Sequence, residues 1–255
     1  MTSKQPARCC TIGVKHEGEA KGSLIEQNGI STYITKPEKA SSEAILILPD
    51  VIGERFINAQ LIADHFAANG YLTVIPDLFK GDPVKLNPPE GFDFMTWKAK
   101  HTTENTDPIV EKTIDYLKSE HGIKKIGGVG YCWGAKYVAR YLTKSGGIDV
   151  GYFAHPSFVE ENELRSITGP LSIAAAETDQ IFTVELRHRS EEILKEIGAV
   201  YQLSLYSSVQ HGFAVRGDVS NPVIKFAKEA AFLQAVQWFD EFLKNDRASA
   251  APSKL

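Results

Sequence analysis

From residue 44 onward, short and almost wholly apolar runs alternate with amphipathic stretches, and this alternation restricts the possible folds more than any other feature. AILILP (44–49), YLTVIPD (71–77) and KKIGGVGY (124–131) are expected strands, followed by 150–154, 171–175 and 200–206. Helical periodicity falls between them, over 56–69 (closed by Gly70), 107–119 (Pro108 in its first turn), 133–143, 184–197 and 223–242. Strands without polar alternation are buried on both faces, so the expected fold class is α/β: a mostly parallel central sheet with helices on both sides. Two β-like runs, 11–15 and 30–35, are expected as an antiparallel lead-in. No repeat or linker divides the chain, which predicts one domain over 1–245 and a flexible polar tail over 246–255.

The 255 residues are 43% hydrophobic, enough for a sizeable core. A net charge of -4, with no block of like charge, supplies no field for nucleic acid or an anionic membrane, and a small molecule is the expected partner. No run reaches the length of a membrane span, and MTSKQPARCC has no apolar core of a secretory signal, so a soluble intracellular protein is expected. The three cysteines, Cys9, Cys10 and Cys132, form no disulfide framework, and no metal or cofactor is called for. The last three residues, Ser253, Lys254 and Leu255, resemble the address of peroxisomal matrix proteins. In a eukaryotic source, the import receptor would then be a partner and the peroxisomal matrix the location; otherwise the location is cytoplasmic.

In a parallel sheet, ligands bind beyond the carboxyl ends of the strands. Asp50, Val51, Asp77, Cys132, His155, Asp179 and the loop holding His211 fall there, and the long connection 78–106, with Phe79, Phe92, Phe94, Met95 and Trp97, is expected as a lid or pocket wall. GVGYCWG (128–134) could suggest a dinucleotide loop, but Trp133 stands where a small residue must pack and no acid closes the next strand. It fits instead the strand-to-helix elbow that presents a nucleophile, with Gly130 and Gly134 clearing space on either side of Cys132. The helix N-terminus favours the thiolate. His211 is the expected base, in a flexible loop beside Gly212. The acid that orients it falls in AAAETDQIF, where Asp179 is preferred to Glu177 because it lies in the turn after the strand. The amides of Val51 and Trp133 are the expected oxyanion donors. Taken singly, Cys132 reads as a buried hydrophobe, His211 as a loop histidine, Asp179 as a helix cap and His155 as a structural residue. On the same reading, iodoacetamide should label Cys132 before Cys9 or Cys10.

With GYCWG, Pro76-Asp77-Leu78 and HGFAVRGD, the chain resembles the dienelactone hydrolase family over about residues 25–243, in its fungal form. The resemblance implies an α/β-hydrolase fold and a Cys132, His211, Asp179 triad that opens small lactones or activated esters through an acyl-enzyme. It also implies a substrate contact at Arg216 and a place for Asp50 at the pocket, while Trp97, read from the long connection, is either lid core or a substrate contact. Asp50 stands where bacterial members carry a glutamate that holds the resting thiol. Of two substrate-gripping arginines, Arg216 matches one, and 78–131 contains no arginine for the other, leaving Lys98 or Lys100. The rival readings are an acyl thioesterase and a non-catalytic binding protein of the same fold.

Overall fold

The computed structural model describes residues 1–245; the expected tail 246–255, with Ser253, Lys254 and Leu255, lies outside the described residues. The chain opens with a 3-10 turn at Arg8–Thr11, and the first strand is β1 (Ser23–Gln27), paired antiparallel with β2 (Ile30–Thr35). Asn28 and Gly29, at φ 48° and 77°, make the two-residue turn that hairpins favour. The strand expected over 11–15 is therefore displaced. Ile12 and Val14 are exposed and bury no face, and the backbone there bonds to loops instead of the sheet.

The remaining strands are β3 (Glu43–Leu48), β4 (Leu72–Pro76), β5 (Lys125–Tyr131), β6 (Val150–Ala154), β7 (Leu171–Thr178) and β8 (Tyr201–Gln210). Their order is β1-β2-β4-β3-β5-β6-β7-β8, parallel from β4 to β8. The chain leaves β3 for β4 on one side and later returns to β5 on the other, so the carboxyl ends of β3 and β5 border the topological switch point.

The helices are α1 (Ile57–Ala68), α2 (Phe94–Ala99), α3 (Thr103–His121), α4 (Gly134–Tyr141), α5 (Glu161–Arg165), α6 (Val184–Glu196), α7 (Phe213–Arg216) and α8 (Pro222–Phe239), the last running into a π turn at Asp240–Lys244. Among the described residues, none is long and apolar enough to cross a membrane. Helix α3 begins earlier than its apolar period suggests, with Glu104 in its first turn. α4 and α8 cover opposite faces, as two neighbouring glycines show. A side chain at Gly127 would strike Phe239 of α8, and one at Gly128 would strike Val138 of α4.

Among the described glycines, the closest backbone approach lies where β5 turns into α4. A side chain at Gly134 would collide with the carbonyl of Leu48 in β3, and one at Gly130 would lie 2.5 Å from the Ala135 Cα. Neither obstacle is a flexible side chain. We predict that Gly134→Ala costs more than about 3 kcal/mol or abolishes folding. Gly29→Ala meets only open space at a positive φ and should cost about 1–2 kcal/mol. Urea denaturation of the two variants measures the contrast.

Candidate active site

Cys132 follows β5 with φ 49°, a conformation that costs a non-glycine residue about 1–2 kcal/mol. Neighbouring strands hold it there. Its N–H donates to the Ala154 carbonyl at 3.2 Å, and its own carbonyl accepts from Ser157 at 3.0 Å. The side chain is fully buried, with Ser157 Oγ 3.4 Å from its sulfur. Trp133 caps α4, and its amide belongs to the first turn, whose N–H groups have no partner within the helix. Val51 lies just beyond the end of β3, across the switch point.

The histidine loop is aimed by an irregularity in β8. The register with β7 shifts between Ala176 and Thr178, Ser208 takes φ 61°, and its N–H donates to Glu177 Oε2 at 2.7 Å. Glu177, the alternative acid, is thus engaged on the exposed edge. Asp179 instead turns inward. One of its oxygens accepts from the amides of Ile181 and Phe182 at 2.8 and 3.0 Å, and the other lies 2.9 Å from His211 Nδ1. Sequence reasoning placed Cys132, Asp179 and His211 on separate loops, and the fold brings all three to one edge.

The residue beside them was not foreseen. Cys10 is fully buried, its sulfur 3.4 Å from His211 Nε2. The sulfurs of Cys10 and Cys132 and a ring nitrogen of His211 lie within 4.8 Å of one another. The N-terminal arm delivers Cys10 by strapping itself across the strand ends. Thr2 and Ser3 donate to the Val159 carbonyl, Lys4 to that of Ile181, and Val14 to that of Arg216. Nothing in the pair Cys9-Cys10 alone signals this, because the contact spans some two hundred residues and carries no local periodicity.

Asp50 and Arg216, expected to face a substrate, face each other. Asp50 Oδ2 accepts from Arg216 Nε at 2.7 Å, its other oxygen accepts from the Ile52 amide at 3.0 Å, and Arg216 Nη1 donates to the Ile12 carbonyl at 2.6 Å. Both side chains are buried, and Arg216 Nη2 alone lacks a hydrogen-bond partner. Trp97 is also buried, its indole N–H donating to the Asp82 carbonyl at 2.7 Å. With Phe79 and Trp133 it forms an aromatic wall, ring centroids 5.3 to 5.9 Å apart. Lys98 reaches the strap at Gln5, 2.5 Å away. His155, stacked on Tyr131, stands edge-on to His211 at 5.0 Å, and burial holds it well below its usual range.

Burial opposes charge at both Cys132 and His211, yet their surroundings outweigh it. The Cys10 thiol, His211 and Arg216 pull Cys132 well below the ordinary thiol range. Asp179 and the Cys132 sulfur lift His211 to about 10. Burial, with the neighbouring Cys132 and Cys9 sulfurs, raises Cys10 well above the usual thiol range, opposite in direction to Cys132. A cavity of about 510 Å³ beside Ser31, Asp77 and Lys80 holds none of these groups.

A strand-to-helix elbow on a parallel sheet, with an acid and a histidine on later loops, defines an α/β-hydrolase. The profile of the Dienelactone hydrolase family matches residues 30–243, and the chain belongs to that family of ester-acting hydrolases. It is 49% identical over 253 residues to Hydrolase tropI of Talaromyces stipitatus, covering 96% of this chain and 99% of that protein. Dienlactone hydrolase 1 of Gibberella moniliformis is 36% identical, with 96% and 97% covered. The crystal structure of a putative dienelactone hydrolase from Klebsiella pneumoniae shares the fold, with a TM-score of 0.69 at 16% identity over 86% of this chain and 97% of that one.

The strap changes the expected order of thiol labelling. Cys9 is part exposed, and its hydrogen bond with Cys10 lowers its pKa to about 7, whereas Cys10 and Cys132 are buried. Brief treatment of the native chain with iodoacetamide near neutral pH should modify Cys9 first, and peptide mass spectrometry reads the order.

Proposed function

We propose that the chain hydrolyses small lactones or activated esters by acyl transfer through Cys132, His211 and Asp179. The observation that carries this reading is the orientation of His211. Its Nδ1 is held by a buried carboxylate at 2.9 Å, which turns Nε2 toward the sulfurs. Asp179 thereby fixes the tautomer and stabilises the imidazolium.

In the first step the Cys132 thiolate attacks the carbonyl carbon, a carbon–sulfur bond forms, and the carbonyl π electrons move onto oxygen. The Val51 and Trp133 amides receive that oxyanion. Collapse restores the carbonyl and breaks the carbon–oxygen bond of the leaving group, which takes its proton from His211. In the second step water gives a proton to His211 and attacks the thioester, and the acid departs as the thiolate returns. A thiolate is itself a good leaving group. The intermediate partitions forward only when the substrate's own leaving group is comparable, which favours enol lactones, aryl esters and thioesters over alkyl esters.

Closure over the reacting atoms requires the strap or the lid to yield before a substrate enters. Trp97 supplies an apolar wall, and Arg216 Nη2 is the arm of the Asp50 pair left for an acidic group on the substrate. An aryl acetate and a lactone panel test the reading. Cys132→Ala and His211→Ala should lower kcat by about a million-fold and Asp179→Asn by about ten-thousand-fold. Wild-type rates in Cys132→Ala would sink it.

A further inference from the structure

The role of Cys10 is not accounted for by acyl transfer. Its sulfur lies beside the two groups that carry the proposed chemistry, in a pocket from which solvent is excluded. Two sulfurs and one imidazole nitrogen within 4.8 Å of one another are also a ligand set. With metal–sulfur bonds of about 2.3 Å and a metal–nitrogen bond of about 2.0–2.1 Å, a tetrahedral centre sets its donors about 3.5–3.8 Å apart. The Cys10 sulfur and His211 Nε2 already stand 3.4 Å apart. Closing the set therefore needs side-chain adjustments of about an ångström, not a rearrangement of the fold.

The surroundings match such a centre in a second way. Histidines that bind metals through one nitrogen usually donate the other N–H to a carboxylate, which fixes the tautomer and raises the basicity of the ligating atom. His211 has that arrangement, with Nδ1 2.9 Å from Asp179 and the carboxylate fixed in turn by the Ile181 and Phe182 amides. The donors come from three distant parts of the chain: the N-terminal strap, the elbow after β5 and the loop after β8. Two thiolates and an imidazole select a soft ion of the zinc class over magnesium, calcium or manganese.

We propose that Cys10, Cys132 and His211 form a three-ligand site for a zinc-class ion, which takes the nucleophile and the base out of use together. Ser157 Oγ, 3.4 Å from the Cys132 sulfur, or a water completes four-coordination. Ligation needs both sulfurs as thiolates and a free lone pair on His211 Nε2, so the ion displaces whatever protons those atoms carry, and they leave to solvent. No oxidation is involved, which separates metal capture from a Cys10–Cys132 disulfide. Metal binding itself does not depend on the hydrolase reading; only its inhibitory effect does.

The test uses the full chain, reduced with a phosphine and freed of metal, titrated with Co²⁺ and then with Zn²⁺ against a chromophoric chelator. One equivalent of Co²⁺ should give thiolate charge-transfer absorption and the visible bands of a tetrahedral centre, which Zn²⁺ then abolishes. Cys10→Ser, Cys10→Ala and Cys132→Ser, each checked for cooperative thermal unfolding, should weaken binding by at least about 100-fold, and Asp179→Asn by about 10–100-fold. Cys9→Ser should bind as the wild type does. Zinc should inhibit aryl acetate hydrolysis by the wild type, reversibly with chelator. The proposal is overturned by failure of the reduced wild type to take up one Co²⁺, by uptake that survives in folded Cys10 variants, or by uptake that is lost in Cys9→Ser. Inactivation that a reductant reverses and a chelator does not would assign a disulfide instead. If Cys132→Ala hydrolysed normally, the function proposed above would fail while the cobalt spectra still decided the metal site.

Discussion

The site depends on the close approach of the β5-α4 turn to β3. Gly134 packs against the Leu48 carbonyl and Gly130 against the backbone of Ala135, with no space for a side chain at either position. That contact lets the chain reverse from strand to helix within three residues and leaves Cys132 at φ 49°. A relaxed turn would carry the sulfur away from the switch point between β3 and β5. The strain at Cys132 is small beside the burial around it, because the residue is pinned by strand β6 through its N–H and by Ser157 through its carbonyl.

The buried pair of Asp50 and Arg216 extends this organisation outward. Asp50 follows β3 by two residues, Arg216 closes the short helix after the histidine loop, and the guanidinium also donates to the Ile12 carbonyl of the strap. Ion pairs in an interior contribute less to stability than their Coulomb attraction suggests, because both charges lose their water. Their strength lies in register. One planar, multidentate donor fixes the relative positions of the loop after β3, the segment after His211 and the N-terminal arm. It also places positive charge near Cys132, which favours the thiolate.

The sequence made the sheet legible because its strands are continuous apolar runs with few alternatives. It made the elbow legible because steric demand leaves glycine two residues to either side of Cys132. Asp179 and His211 were nominated by chain order and their places after strands, and the fold sets them 2.9 Å apart. Other features were encoded by no local pattern. The strap is an extended segment with exposed Ile12 and Val14, so it lacks a burial period, and its lead-in strand was placed too early. Cys10 meets His211 only through long-range packing. The pairing of Asp50 with Arg216 could not be read from two polar residues that each sit plausibly at a pocket mouth.

The strap gives the sulfur chemistry a physical context. A thiolate stabilised by an imidazolium and a helix N-terminus is vulnerable to any soft electrophile or metal that reaches it. Cys132 is fully buried, and under the proposed hydrolysis a covering segment must yield before a substrate reaches it. The N-terminal arm meets that requirement because it is tied to the surrounding loops by separate hydrogen bonds instead of sheet pairing, and such contacts can break piecemeal. By carrying Cys10 the arm does more than shield the pocket. It places a third donor, the Cys10 sulfur, beside Cys132 and His211. An ion bound as proposed, requiring Cys10, would hold the arm in the position seen in the structure by the free energy with which it binds there.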